Sequence, residues 1–175
     1  MADAAQPVFV VLDVETTGLH PVTDEVLEIG AQKCQGKNVL GEFEMLIKPT
    51  IPVPKESTAV NGLTNDILQA EGKDPQEAFP AFREFVGDAI IVAHNAPFDV
   101  SFLNESFKRY GVAQFDNKII DTIEIAKKYL ILASYKLSNV AAYLKVPQVS
   151  AHRSMVDVIT TREVFYKLID RAKGK

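Results

Sequence analysis

The sequence has one cysteine, Cys34, and that scarcity excludes two kinds of architecture. A lone thiol forms no intramolecular disulfide and no zinc site built from thiolates, so the composition fits a reducing compartment. Long apolar runs are missing as well: none approaches the roughly 18 residues of a membrane-spanning helix. The first residues, Met1 to Pro7, lack the basic and apolar regions of a secretion signal. These absences together lead us to expect a soluble, cytoplasmic protein. Positive charge is also short, with 19 Lys and Arg against 23 Asp and Glu, a formal net charge of −4. Tight nonspecific binding to nucleic acid rests on cations that displace phosphate counterions, and this chain has no excess of them.

What is present suits a globular fold. The chain has 175 residues, 47% of them apolar, which suits one domain with a real core. We expect a flexible N-terminus over residues 1–7 and a single domain over 8–172. No internal repeat or low-complexity tract interrupts it. Val8 to Val14 is a short Val-rich run that suits a strand buried on both faces. Glu25 to Lys33 and Val39 to Ile47 read as two more strands, joined by a turn at Gln35-Gly36-Lys37-Asn38. Lys48 to Pro54 holds three prolines and reads as a loop. Asp74-Pro75-Gln76-Glu77 marks a helix start, with Asp74 as cap and Pro75 in the first turn; Pro80 then predicts a kink. Ala89 to Ala93 is a fourth strand. A helix follows from Pro97, capped by Asn95 or Ala96, to Tyr110, with Gly111 as its left-handed stop. Ile119 to Asp121 is a short strand, and helices are expected over Thr122 to Tyr129, Leu137 to Leu144 and Arg153 to Ala172. A strand hairpin followed by alternating helices and strands predicts an α/β fold with a mixed sheet.

The chemistry sits in acids at the ends of these elements. Asp13 and Glu15 are two apart on the first strand and therefore share a face. Two carboxylates at a buried strand end repel and lose hydration unless a cation compensates; the ordinary alternative is a solvated strand end. Thr16-Thr17-Gly18 follows as a tight turn. Asp99 falls in the first turn of the helix after Ala89 to Ala93, where an acid also favours the helix dipole. His94 and Asn95 precede it, with a satisfied buried imidazole and a helix cap as their ordinary roles. Asp157 falls in the last helix, and His152 stands five residues earlier, a separation of about 140° if both were helical. His152 is therefore expected just before the helix. Alone, each element reads more simply as structure. Together they would bring four carboxylates to the strand ends where α/β sheets place their sites. Oxygen ligands suit hard cations such as Mg²⁺. Two such ions clamp the oxygens of a phosphodiester, and an imidazole that titrates near neutrality can accept the proton of the attacking water. Bound cations would also explain how an acidic protein holds an anionic substrate.

Asp13-Val14-Glu15-Thr16-Thr17-Gly18, His94-Asn95-Ala96-Pro97-Phe98-Asp99 and His152-Arg153-Ser154-Met155-Val156-Asp157 resemble the three exonuclease motifs of the DEDDh family. Within it, the chain resembles the proofreading subunit or inserted domain of bacterial replicative polymerases, the epsilon subunit and PolC-like exonuclease domain of DNA polymerase III. The likeness runs from about Val8 to Leu168. It implies a ribonuclease-H-like fold, a central mixed β-sheet flanked by α-helices. It implies that Asp13, Glu15, Asp99 and Asp157 ligate two divalent cations, Mg²⁺ or Mn²⁺, and that His152 is the general base. It implies a 3′→5′ exonuclease acting on single-stranded or frayed DNA 3′ ends, releasing nucleoside 5′-monophosphates, with proofreading in DNA replication as the role and a DNA polymerase subunit as partner. Thr16, Thr17, Gly18 and Leu19 would hold the terminal nucleotide. His94, Asn95 and Phe98 are further candidate substrate contacts, Phe98 either stacking on a base or packing its helix on the sheet. Asn61 stands where the family often has histidine, which puts substrate contact by that loop in question. Lys127, Lys128, Lys136 and Arg153 are candidates for backbone contacts. Rival readings are an exoribonuclease that trims RNA ends and a catalytically dead interaction module; retention of all four acids and the histidine argues against the second.

Overall fold

The computed structural model describes residues 6–147 and 153–174. Most of the expected flexible N-terminus and the candidate base His152 lie outside the described residues.

β1 (Val8–Thr16) is the apolar run read from the sequence, extended by two residues into the acidic motif. Its alternate side chains enter two different layers. Val10, Leu12 and Val14 pack with Phe79, Phe82 and Phe102, whereas Phe9 and Val11 pack with Val158 and Phe165. A strand covered on both faces needs an unbroken apolar run, and each such side chain contributes roughly 1.5–3 kcal/mol on burial. β2 (Val26–Gln35) and β3 (Asn38–Leu46) form the expected hairpin, turning at Gly36 with φ 57°. α1 (Lys55–Asn61) and α2 (Asn65–Glu71) follow, in a stretch where the sequence suggests no helix. Each has 7 residues, two turns, too few to display a helical period. α3 (Pro75–Val86) starts as expected, with the Asp74 carboxylate accepting from Gln76 N at 2.8 Å. β4 (Ile90–Ala93), α4 (Ala96–Arg109), β5 (Ile119–Asp121), α5 (Thr122–Tyr129), α6 (Leu137–Tyr143) and α7 (Ser154–Lys173) complete the chain within a residue or two of expectation.

The sheet order is β3-β2-β1-β4-β5, antiparallel across the hairpin and parallel from β1 through β4 to β5, so the fold is α/β with a mixed sheet. α3 and α4 cover one face and α7 the other. The three parallel strands all end on one side, at Thr16, Ala93 and Asp121. The acidic motifs fall on that side. Among the described residues, no helix is long and apolar enough to cross a membrane.

Candidate metal centre

Asp13 and Glu15 leave β1 on the face covered by α7, and Asp157 meets them from the first turn of that helix. One carboxylate oxygen from each of the three lies within 4.8 Å of the others. The helix reaches the strand because β2 lets it. Gly30 stands directly across from Asp13, and a Cβ there would sit 2.6 Å from Ser154 Oγ and 2.7 Å from Met155 N. Only glycine admits the helix end at that depth. The fourth expected ligand behaves differently. Asp99 comes from α4 in the opposite layer, is 3% exposed, and accepts a hydrogen bond from Val14 N at 3.1 Å. It lies close enough for its charge to act on Asp13, but it does not belong to the set of three oxygens.

Burial, and then the mutual repulsion of the acids, shapes their titration. Burial followed by the charges of Asp99, Asp157, Glu15 and Glu28 pushes Asp13 well above the usual carboxylate range. Burial followed by Glu28 raises Glu15 to about 7, and burial raises Asp99 to about 8. An all-oxygen donor set with this surplus of negative charge fits a hard divalent cation. It also sets the sign of a pH effect. Folded pKa values above the ordinary 3.8 and 4.5 mean that the folded state binds these protons more tightly than the unfolded chain. The stability they contribute is complete below about pH 4 and is lost as pH rises through 7 to 8. A cation restores what ionisation removes. The melting temperature in Mn²⁺ minus that in chelator should therefore widen between pH 6 and pH 8.5, on the order of 5 °C for a kcal/mol or two. A difference that stays near zero across that range in calorimetry would show that no cation binds these acids.

A sequence profile of the RNase_T exonuclease family matches residues 10–165. The chain belongs to this exonuclease family. It is 39% identical over 165 residues to "DNA polymerase III PolC-type" of Thermotoga maritima, covering 94% of this chain and 12% of that protein. The corresponding protein of Caldanaerobacter subterraneus is 37% identical over 164 residues, 93% of this chain and 12% of the relative. The exonuclease domain thus spans about an eighth of the length of these relatives. Among solved structures, E. coli exonuclease I in complex with a dT13 oligonucleotide superposes with a TM-score of 0.83 at 22% identity, over 94% of this chain and 41% of that one. Product-bound exonuclease I gives 0.85 at 20% identity, over 96% and 44%. The shared architecture is the ribonuclease-H-like fold.

The remaining expected residues of the exonuclease domain sort by what they touch. Thr17 is 3% exposed, its N–H donates to Glu25 O and its hydroxyl accepts from Glu25 N, both at 2.9 Å. Its side chain closes the turn. Thr16 Oγ1 donates to Gly18 O at 2.6 Å, and Ser57 Oγ of α1 donates to Thr16 O at 2.7 Å. A Cβ at Gly18 would meet the Asp24 carboxylate at 2.4 Å, so that side chain, which accepts from His20 N at 2.8 Å, would have to shift. Leu19 projects from this tightened turn, 75% exposed. His94 has both ring nitrogens engaged at 2.8 Å, with Thr122 Oγ1 and Tyr135 O, and burial pushes its pKa down. That is the structural alternative for His94. Asn95 occupies the N-cap position of α4 at φ 71°, its N–H bonding Asp121 Oδ1 at 3.1 Å rather than its side chain capping the helix. Phe98 packs against Phe102, ring centroids 4.8 Å apart, as a partly buried member of the core.

Two corrections follow. Arg153 is not a spare cation for a phosphate backbone: its guanidinium bonds Glu28, a buried carboxylate that attracts it more strongly than solvent. Lys127 is likewise paired, with Glu124 at 2.9 Å. Two further residues act on the acids. Asn61, set apart as a departure from the family pattern, lies close enough to Glu15 to draw its pKa down, donates to Ser57 Oγ at 3.3 Å and holds Leu63 N at 3.0 Å. Glu28 was legible only as an acid inside the apolar stretch Val26-Leu27-Glu28-Ile29, a place where a charge needs a partner.

Proposed function

We propose that this exonuclease domain is a cytoplasmic 3′→5′ exonuclease on single-stranded or frayed DNA ends that releases nucleoside 5′-monophosphates and proofreads beside a DNA polymerase subunit. The observation that carries the reading is the meeting of Asp13, Glu15 and Asp157 oxygens within 4.8 Å at the ends of the parallel strands. Two divalent cations, Mg²⁺ or Mn²⁺, would supply the positive charge that clamps the attacking and leaving oxygens of a phosphodiester. Asp13, Glu15 and Asp157 would hold them, with Asp99 completing the set from the opposite layer. His152 would accept the proton of the attacking water as its oxygen adds to phosphorus, and the bond from phosphorus to the 3′ oxygen of the preceding nucleotide would break, that oxygen taking a proton from solvent to become the new 3′ hydroxyl. Thr16, Gly18 and Leu19 would cap the terminal nucleotide, the exposed Leu19 against its base. An open groove of about 570 Å³ runs past Asn95, Ser134 and Lys136, where Lys136 would offer the strand a cation that the net charge of the chain withholds. Relatives named as DNA polymerase III and neighbours solved with oligonucleotides support DNA as the substrate.

Labelled oligonucleotides test this directly. With Mn²⁺, a linear single strand with a 3′ hydroxyl should be shortened from that end, a 3′ phosphate should slow it by at least about tenfold, and a 5′ phosphate should not matter. Circular single strands should survive. The 3′ phosphate effect reflects a capped terminus whose fit is worth at least 1.4 kcal/mol. Cutting of the circles would make the enzyme an endonuclease and remove the role assigned to Leu19; preference for the matched RNA would overturn DNA as substrate.

A further inference from the structure

Glu28 is the most deeply buried acid beside the centre, and nothing in the cleavage chemistry uses it. It stands on β2 directly across from Glu15, as Gly30 stands across from Asp13. Its side chain is 0% exposed, and its carboxylate bonds the start of one helix. Oε1 accepts from Arg153 Nη2 at 2.6 Å and from Arg153 Nε at 3.0 Å, while Oε2 accepts from Ser154 N at 3.1 Å and Arg153 Nε at 3.2 Å. Ser154 N is one of the backbone donors that the first turn of a helix leaves without an internal partner. A carboxylate from a neighbouring strand thus does the work of a cap that Arg153, at the N-cap position, does not do with its own side chain. A carboxylate there also complements the helix dipole.

We infer that Glu28 and Arg153 are a positioning pair that sets Asp157, and through it the cation site, by pinning the start of α7 to the strand beside the one that carries Asp13 and Glu15. The linkage is short. Arg153 O accepts the hydrogen bond of Asp157 N, at 3.2 Å, and that of Val156 N, at 3.0 Å. The residue held by Glu28 is therefore the one that begins the turn presenting Asp157. A bidentate guanidinium–carboxylate bond fixes orientation as well as distance, and a carboxylate ligand displaced by a few tenths of an ångström binds a cation less well. The inference rests on the nuclease reading only in that Asp157 serves cleavage.

The test uses Glu28→Gln, Arg153→Ala and Arg153→Lys in the whole chain. Glu28→Gln leaves no buried charge behind, and the freed Arg153, 43% exposed and 3.9 Å from Glu44, has another partner. Loss of a group that orients a metal ligand costs on the order of 10–100-fold in affinity or activity. Glu28→Gln should therefore lower kcat by that amount and raise the half-saturating Mn²⁺ concentration about tenfold, with KM for the oligonucleotide changed by less than about threefold. Arg153→Lys should fall between wild type and Arg153→Ala. Because the Arg153 side chain reaches solvent, millimolar guanidinium should partly restore Arg153→Ala in a saturable way, where the same concentration of NaCl should not. Mn²⁺ titration by calorimetry gives a readout that does not need cleavage. An inactive wild type that still binds Mn²⁺ would sink the nuclease reading and leave the pair intact. A Glu28→Gln variant with wild-type kcat and Mn²⁺ dependence, whatever its melting temperature, would overturn the pair as a positioning device and leave the nuclease reading intact.

Discussion

Asp13→Ala is expected to abolish turnover without lowering the melting temperature of the protein in chelator. Asp13 carries a strong conflict, since burial and four neighbouring acids all resist its ionisation. A residue kept under that penalty without a cation is a stability cost, and removing it relieves repulsion in the metal-free state. Its value would lie in the loaded state. A bound cation supplies several kcal/mol of charge stabilisation at the reacting phosphate, and each 1.36 kcal/mol is tenfold in rate. The loss should therefore be on the order of 10³-fold or more, measured on a labelled single strand at saturating Mn²⁺. The same variant should melt at or above the wild type by calorimetry in EDTA. Retained turnover, with contaminating nuclease excluded, would end the proposal that these acids hold catalytic cations; a large drop in melting temperature would mean that Asp13 is a structural acid.

His152→Ala should be the second largest effect and of a different kind. A positioned general base contributes on the order of 10²–10⁴-fold, so the variant should lose that much in kcat while binding Mn²⁺ and single-stranded DNA as the wild type does. At saturating metal, the wild-type rate should rise with pH as the imidazole gives up its proton, and the variant should lose that rise. The contrast with Asp13→Ala is the informative part: one variant should lose metal binding together with the rate, the other only the rate and its pH dependence. Near-normal rates in His152→Ala at neutral pH would mean that another group takes the proton.

Local chemistry made most of the fold readable. β1, the hairpin and α3 to α7 are announced by apolar period, by Asp74 and Pro75 at a helix start, and by Gly111 at a helix end with φ 70°. Those signals act within a few residues, so they survive the loss of tertiary information. α1 and α2 do not announce themselves because two-turn helices draw their stability from docking. Ser57 of α1 bonds the Thr16 carbonyl at 2.7 Å and Asn61 reaches Glu15, contacts with residues more than forty positions away. The candidate site divides in the same way. Asp13, Glu15, Asp99 and Asp157 stand out as acids at the ends of predicted elements, but their grouping does not. Only the fold places Asp99 in the opposite layer, bonded to the backbone of Val14, while the other three converge.

From the sequence alone came membership in a nuclease-like pattern, the strand and helix that bear each acid, and the need for a cation to balance an acidic centre. The first rests on the resemblance of three motifs; the other two follow from residue type and from periods of two and 3.6, which are properties of neighbours in the chain. What only the tertiary structure decided is how the acids are held. Glu28 meets Arg153 across 125 positions, and Gly30 admits Ser154 across a similar separation. A buried charge and a missing side chain carry no local signature of their partner, because the partner is chosen by strand pairing and helix docking. The same pairing turned Arg153 from an apparent phosphate contact into an anchor, because a carboxylate removed from water binds a guanidinium more firmly than an exposed backbone could.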